Sequence, residues 1–247
     1  MPRYFLEVAY KGKRYSGFQI QENAVTVQSE IQQAFFTFFR KPVLLTGSSR
    51  TDAGVNAYQN YFHFDWEDDF KEKDLYNLNS ILPADITLKS AKLVNSDAHA
   101  RFHASSRLYE YRLYKKKDPF LHELAWYFPY KFNSEVLTVA ADLINGNTNF
   151  FSFSKRNTQV NTYICTIITS EWLFEEEYWT YRVEANRFLR GMVRGLVGTM
   201  MRLARNNITI AEFRALLEGR ISSAADFSAP AHGLYLMCVR YPDSIFL

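Results

Sequence analysis

Residues 47–57 read Gly47-Ser48-Ser49-Arg50-Thr51-Asp52-Ala53-Gly54-Val55-Asn56-Ala57. Just before them, Val43 to Thr46 is strand-like. Just after them, Asn60 to Trp66 alternates, with Phe62, Phe64 and Trp66 on one face, the pattern of a half-buried strand. The quoted stretch is therefore a strand-to-strand connection. Upstream, Tyr4 to Tyr10 reads as a strand and Lys11-Gly12-Lys13 as the turn after it. Thr26 is placed to cap a helix whose apolar residues Val27, Ile31, Ala34, Phe35, Phe38 and Phe39 recur every three or four positions, and Pro42 stops it. Strands and helices in this order give an α+β chain, not a regular βαβ alternation.

Downstream, Leu75 to Leu82 reads as a short helix and Arg107 to Lys115 as a strand. Ser134 caps a helix with Val136, Leu137, Ala140, Ala141 and Ile144 inward, ended by Gly146. Cys165 to Phe174 and Tyr178 to Ala185 form a hairpin around an acidic turn, and a long helix runs over roughly Leu189 to Arg205. Thr209-Ile-Ala-Glu212 is a capping box for a last helix, and Leu234 to Tyr241 is a closing strand. The order of elements in the first half recurs in the second without close sequence repetition. We expect two related subdomains: residues 1–106, carrying the Asp52 loop, and residues 107–247, carrying Tyr109 and the basic helix.

The chain has 247 residues, 47% hydrophobic and 22% charged, enough for a sizeable core. Its net charge is only +3, but basic residues cluster at Lys11 to Arg14, Arg40-Lys41, Lys115 to Lys117 and Arg187 to Arg205, where they could track phosphates. Cys165 and Cys238 lie in apolar runs outside any C-x-x-C pair and are expected to be thiols. The N-terminus lacks the apolar stretch of a signal peptide, and no run approaches the roughly 18 apolar residues that span a membrane. We expect a cytoplasmic protein with no membrane association.

Three groups of residues could carry chemistry. Asp52, flanked by small residues and preceded by Arg50, could act as nucleophile, base or ligand; from spacing alone an Asx turn is the simpler explanation of its position. Arg190, Arg194, Gly198 and Arg202 are four apart and would share one helical face, and Gly191, Gly195 and Gly198 imply tight packing or function. Tyr109 and Tyr111, beside Arg107, could stack on bases or fill a core. His99 and His103 find no third metal ligand nearby in sequence, and neither a P-loop nor a dinucleotide fingerprint is present.

Five segments together resemble one family. Arg50-Thr-Asp-Ala-Gly-Val55 is similar to the G-R-T-D-A-G-V-H signature of the tRNA pseudouridine synthase A family. Tyr10 to Gln19, His99-Ala-Arg-Phe102 with Arg107-Leu-Tyr-Glu-Tyr111, Asn186 to Arg194, and Ala229 to Leu236 resemble its other motifs, in family order. The resemblance implies two pseudo-repeated, RRM/ferredoxin-like α+β subdomains whose antiparallel sheets join around a central catalytic cleft. It implies isomerisation of uridine to pseudouridine at positions 38 to 40 of the tRNA anticodon arm, by a homodimer, with no cofactor and no metal.

Carried over residue by residue, the resemblance makes Asp52 the catalytic nucleophile, Arg194 its ion-pair partner and Arg50 a catalytic neighbour. Tyr109 stacks on the flipped base, and Arg107, Arg190 and Arg14 contact the RNA. Attack at C6 and attack at C1′ both remain open. Ser49, Asn56, Lys11 and Phe18 depart from the family pattern, and Ser49 and Asn56 stand close enough to Asp52 to bear on substrate choice. Alternative readings are a non-catalytic RNA-binding protein of the same fold, a synthase acting on another RNA, a metal-dependent nuclease and an assembly protein.

Overall fold

The computed structural model describes residues 1–155, 161–176, 178–219 and 225–247. In chain order the elements are β1 (Arg3–Tyr10), α1 (Val27–Phe39), β2 (Thr46–Gly47), β3 (Asn56–Asp65), α2 (Glu72–Ile81) and β4 (Ile86–Val94). They continue with β5 (Ser106–Tyr114), β6 (Trp126–Tyr127), α3 (Ser134–Asn145), β7 (Ile167–Phe174), β8 (Trp179–Ala185), α4 (Met192–Ala204), α5 (Ile210–Leu217) and β9 (Leu234–Arg240). The class is α+β, as expected. Two compact units form: Met1–Ser105 with Tyr235–Leu247, and Ser106–Leu234.

In the first unit, β1 pairs antiparallel with both β3 and β4, and β2 pairs antiparallel with β3. The order 4-1-3-2 with two crossing helices is the split β-α-β arrangement of ferredoxin-like folds. Thr26 caps α1 as its sequence demands: its hydroxyl accepts the Ser29 N–H, and the Ser29 hydroxyl accepts the Thr26 N–H, a capping box. Phe35 then packs against Phe64, Trp66 and Phe70 at ring separations of 5.5–5.9 Å. Phe38, expected inward, lies in the last turn of α1 and is exposed.

The opposite face of β3 is also covered, so β3 is not half-buried. Tyr61 and His63 are buried beside Phe5, Tyr241 and Phe246. These last two aromatics come from residues 235–247, which sequence order assigns to the second subdomain. They lie in the first unit because β9 pairs in parallel with β3, Asn56 against Tyr235, and the Asn95 side-chain amide donates to the Ser244 carbonyl at 2.9 Å. Strand β4 escapes a period-two reading for a local reason. Glu7 faces Ser90 and Val8 faces Leu88, so Lys89 is an extra residue and the inward–outward alternation slips. Of Val43 to Thr46, only Thr46 pairs as strand.

In the second unit, β5-α3-β7-β8-α4 repeats the order of β1-α1-β2-β3-α2. Its antiparallel sheet runs β5-β8-β7, again first, third, second. Tyr111 and Tyr181 are fully buried, and the Tyr181 and Ser170 hydroxyls share a 2.8 Å hydrogen bond. Asn133, not Ser134, caps α3, accepting from the Glu135 N–H. Of the acidic turn between β7 and β8, Glu177 lies outside the described residues. Helix α4 begins at Met192 because Gly191 holds φ +74°, so Arg190 precedes the helix and does not share a helical face with Arg194. Among the described residues, no helix is long and apolar enough to cross a membrane. Cys165 is buried and Cys238 half-buried, and neither is in a disulfide.

Two stability predictions follow from these packings. A Cβ on Gly198 would stand 2.3 Å from the Asp226 carbonyl oxygen, a backbone atom that cannot swing away. Gly198→Ala should cost about 1–3 kcal/mol, read as a melting temperature lowered by roughly 2–4 °C per kcal/mol. His63 is buried and accepts the Ala100 N–H on Nδ1, and its pKa is pushed down to about 4, chiefly by burial. The unfolded chain takes up this proton near 6.5 and the folded chain near 4, so stability falls as pH is lowered through that window. His63→Asn, which keeps an acceptor but cannot titrate, should flatten this acid limb in denaturation curves collected from pH 7 to pH 4.

Candidate active site

Asp52 sits on a turn whose backbone is held from several sides. The Val55 N–H returns to the Asp52 carbonyl at 3.2 Å, and Gly54 takes φ +78°, closing the turn. The Thr51 carbonyl accepts the Phe18 N–H, and the Thr51 and Tyr10 hydroxyls share a buried 2.7 Å bond. Asn60 completes the frame. Its side chain has no exposure; its Nδ2 donates to the Ser49 carbonyl at 2.9 Å and the Tyr10 hydroxyl at 3.2 Å, and its Oδ1 accepts from the Ser49 and Tyr61 N–H groups. The loop is thus fixed up to Thr51, while the Asp52 side chain next to it is half-exposed.

Ser49 and Asn56, expected to bear on substrate choice, are both buried. Asn56 Oδ1 accepts the Gly12 N–H at 2.9 Å, tying the turn after β1 to the start of β3. Their positions make them parts of the loop's support. Arg50 is exposed and lines a pocket of about 200 Å³. Arg14 is exposed too, 3.5 Å from Asp85, whose other carboxylate oxygen accepts the Tyr15 hydroxyl.

The other candidates belong to the second unit. Arg107 is buried and donates through Nη1 to the Asn186 carbonyl at 2.8 Å, so it braces the segment that leads into α4. Tyr109 is half-buried, and its ring meets Phe188 edge-to-face at 5.0 Å, which leaves part of the ring accessible. Tyr111, its neighbour on the same strand face, is core: its hydroxyl donates to the Pro230 carbonyl at 2.8 Å.

Arg194 is half-buried on α4. Its Nε donates to the Ala229 carbonyl at 2.6 Å and its Nη2 to the Phe227 carbonyl at 3.3 Å. Gly198 admits this segment against the helix, and the Thr199 hydroxyl accepts the Asp226 N–H at 2.9 Å. Two of the five guanidinium N–H groups are used in this way. Arg190 is exposed. Among the described residues, no group of three or more histidines, cysteines or carboxylates could hold a metal ion.

A sequence profile described as tRNA pseudouridine synthase matches residues 140–242. A tRNA pseudouridine synthase A of Parabacteroides distasonis is 41% identical, covering all of this chain and 98% of that protein. One of Porphyromonas gingivalis is 41% identical over the whole of both chains. One of Thermosipho melanesiensis is 36% identical over 98% of this chain and all of that protein. The chain belongs to the tRNA pseudouridine synthase A family.

Within this member of the family, sequence reasoning overlooked Asn60. A signal was present: Asn60 shares the inward face of β3 with Phe62 and Phe64, and an amide on such a face needs partners. Asn60→Ala would leave the Ser49 backbone groups and the Tyr10 hydroxyl without their buried partner, at a cost of about 1–3 kcal/mol. We expect a lowered melting temperature and, in protein still folded by circular dichroism, turnover reduced at least tenfold.

Proposed function

We propose that the protein is a tRNA pseudouridine synthase that isomerises uridine in the anticodon stem-loop, at positions 38 to 40, and works as a cytoplasmic homodimer. What supports this most is the end-to-end match to synthases of this family combined with a half-exposed Asp52 on a braced turn. A uridine stacked in a stem cannot present its reacting atoms, so it must leave the stack at a cost of a few kcal/mol. Tyr109 offers replacement stacking, which is worth roughly 1–3 kcal/mol per base.

In this reading the Asp52 carboxylate forms a transient bond to the nucleotide, at C6 or at C1′. The N1–C1′ bond breaks, the uracil turns, a C5–C1′ bond forms, and the C5 proton is lost while N1 gains one. Arg194 is assigned as the ion-pair partner of Asp52. Its bonds to Ala229 and Phe227 hold the guanidinium for that task. Arg50, Arg14 and Arg190, all exposed, meet the RNA backbone. Arg107 serves by holding the Asn186 carbonyl, and through it the approach to α4.

Unmodified tRNA transcripts treated with protein, labelled with carbodiimide and read by primer extension test this proposal. Wild-type protein should give new stops in the anticodon arm. Asp52→Asn should give none, while binding the same tRNA within about twofold of wild type. Stops of equal strength with Asp52→Asn would remove the nucleophile assignment. Tight binding without stops from wild-type protein would favour a non-catalytic RNA-binding role.

A further inference from the structure

Phe102 is a large apolar side chain left 72% exposed. The segment that carries it is not loose. The Ala100 N–H is bound by His63 Nδ1 at 3.2 Å, and the Ala100 carbonyl accepts the Tyr241 hydroxyl. Arg3 donates to the Ala98 carbonyl at 3.1 Å. His99 Nδ1 accepts the N–H groups of Arg101 and Phe102 at 3.1 and 3.4 Å, as a helix cap would. Burial lowers the pKa values of both His63 and His99, which favours the neutral rings these acceptor roles need. The segment is therefore held by several hydrogen bonds, one of them buried, while the ring it carries stays in water.

The ring borders the 200 Å³ pocket, together with Phe18, Gln28, Arg50, His99 and Arg101. No carboxylate is found among its described lining residues, so two arginines give it a positive field. The Arg101 guanidinium carbon stands 5.7 Å from the Phe102 ring centre, and the His99 ring supports Phe102 at 4.3 Å. The volume is below the roughly 300–1,000 Å³ of pockets that enclose a whole small ligand. It suits one part of a larger one. An exposed aromatic face beside arginines is the usual way to hold an unstacked base with its phosphate. Arg50 lies two residues before Asp52, which sets the pocket beside the loop of the proposed nucleophile.

We propose that this pocket is a nucleotide subsite, in which Phe102 stacks on an unpaired base adjoining the target uridine and Arg101 and Arg50 hold its phosphate. The inference rests on the tRNA reading above and adds to it a second point of base recognition. Phe102 and Arg101 thereby help to select which uridines react, because only an RNA that can splay a neighbouring base reaches both sites.

The test measures tRNA affinity and pseudouridine formation for Phe102→Ala, Phe102→Leu, Phe102→Trp and Arg101→Ala. Phe102→Ala and Phe102→Leu should each weaken binding about 5- to 150-fold, the range of a lost base–aromatic stack, with unchanged melting temperatures. Phe102→Trp should restore binding to within about threefold. Arg101→Ala should lower the slope of log affinity against log salt by about 0.7, one phosphate's share on single-stranded RNA. Abasic substitutions next to the target uridine should include one for which Phe102→Ala has no further effect, which isolates the contact. Wild-type-like binding and turnover by Phe102→Ala and Arg101→Ala would overturn the subsite, as would full rescue by Phe102→Leu. Failure of wild-type protein to bind or modify any tRNA would instead overturn the functional reading, and the subsite with it.

Discussion

A single buried amide sets the geometry on which the candidate site depends. Asn60 has no contact with water and must satisfy its donors and acceptor inside the protein. It does so by gripping Ser49 through both backbone groups and by donating to Tyr10, whose hydroxyl is bonded to Thr51. The register of β3 against β1, Val8 facing Asn60, carries this amide to its place. A one-residue slip would turn it to the opposite face, and the phenylalanines of β3 with it. The antiparallel sheet and the position of the Asp52 turn are therefore one constraint, not two.

The second unit meets the same physical problem with different residues. An irregular segment, residues 226–229, must lie close to α4 and stay there. Gly198 supplies the space, Thr199 bonds the Asp226 N–H, and Arg194 bonds the carbonyls of Phe227 and Ala229. Arg107 treats the Asn186 carbonyl in the same way. In each unit, side chains that read as reactive from sequence turn out to stand next to, or within, networks that hold backbone. A buried backbone group left unpaired costs about as much as a lost hydrogen bond, so these networks stabilise as well as position.

The sequence was legible where periodicity and capping agreed. The Thr26 cap with the apolar spacing of α1, the Thr209 to Glu212 box of α5 and the alternation in β3 all located their elements. It misled where tertiary structure overrode local pattern. An extra residue at Lys89 hid β4, and Gly191 shortened the basic helix and left Arg190 off it. The return of β9 to β3 depends on pairing between residues about 180 positions apart, which no local window can show. For the candidate site, Asp52 and its turn stood out by composition. The supporting roles of Asn56, Ser49 and Asn60 did not, because they follow from burial.

We propose Asp52 as the group that reacts with a uridine of tRNA. Forming pseudouridine must displace the hydrogen at C5, so tritium release from tRNA carrying 5-tritiated uridine reports the chemical step itself. Under single-turnover conditions with protein in excess, wild type should release tritium up to the number of target uridines. Asp52→Asn, bound to the same tRNA, should release none above background. Release by Asp52→Asn at the wild-type rate would contradict the account.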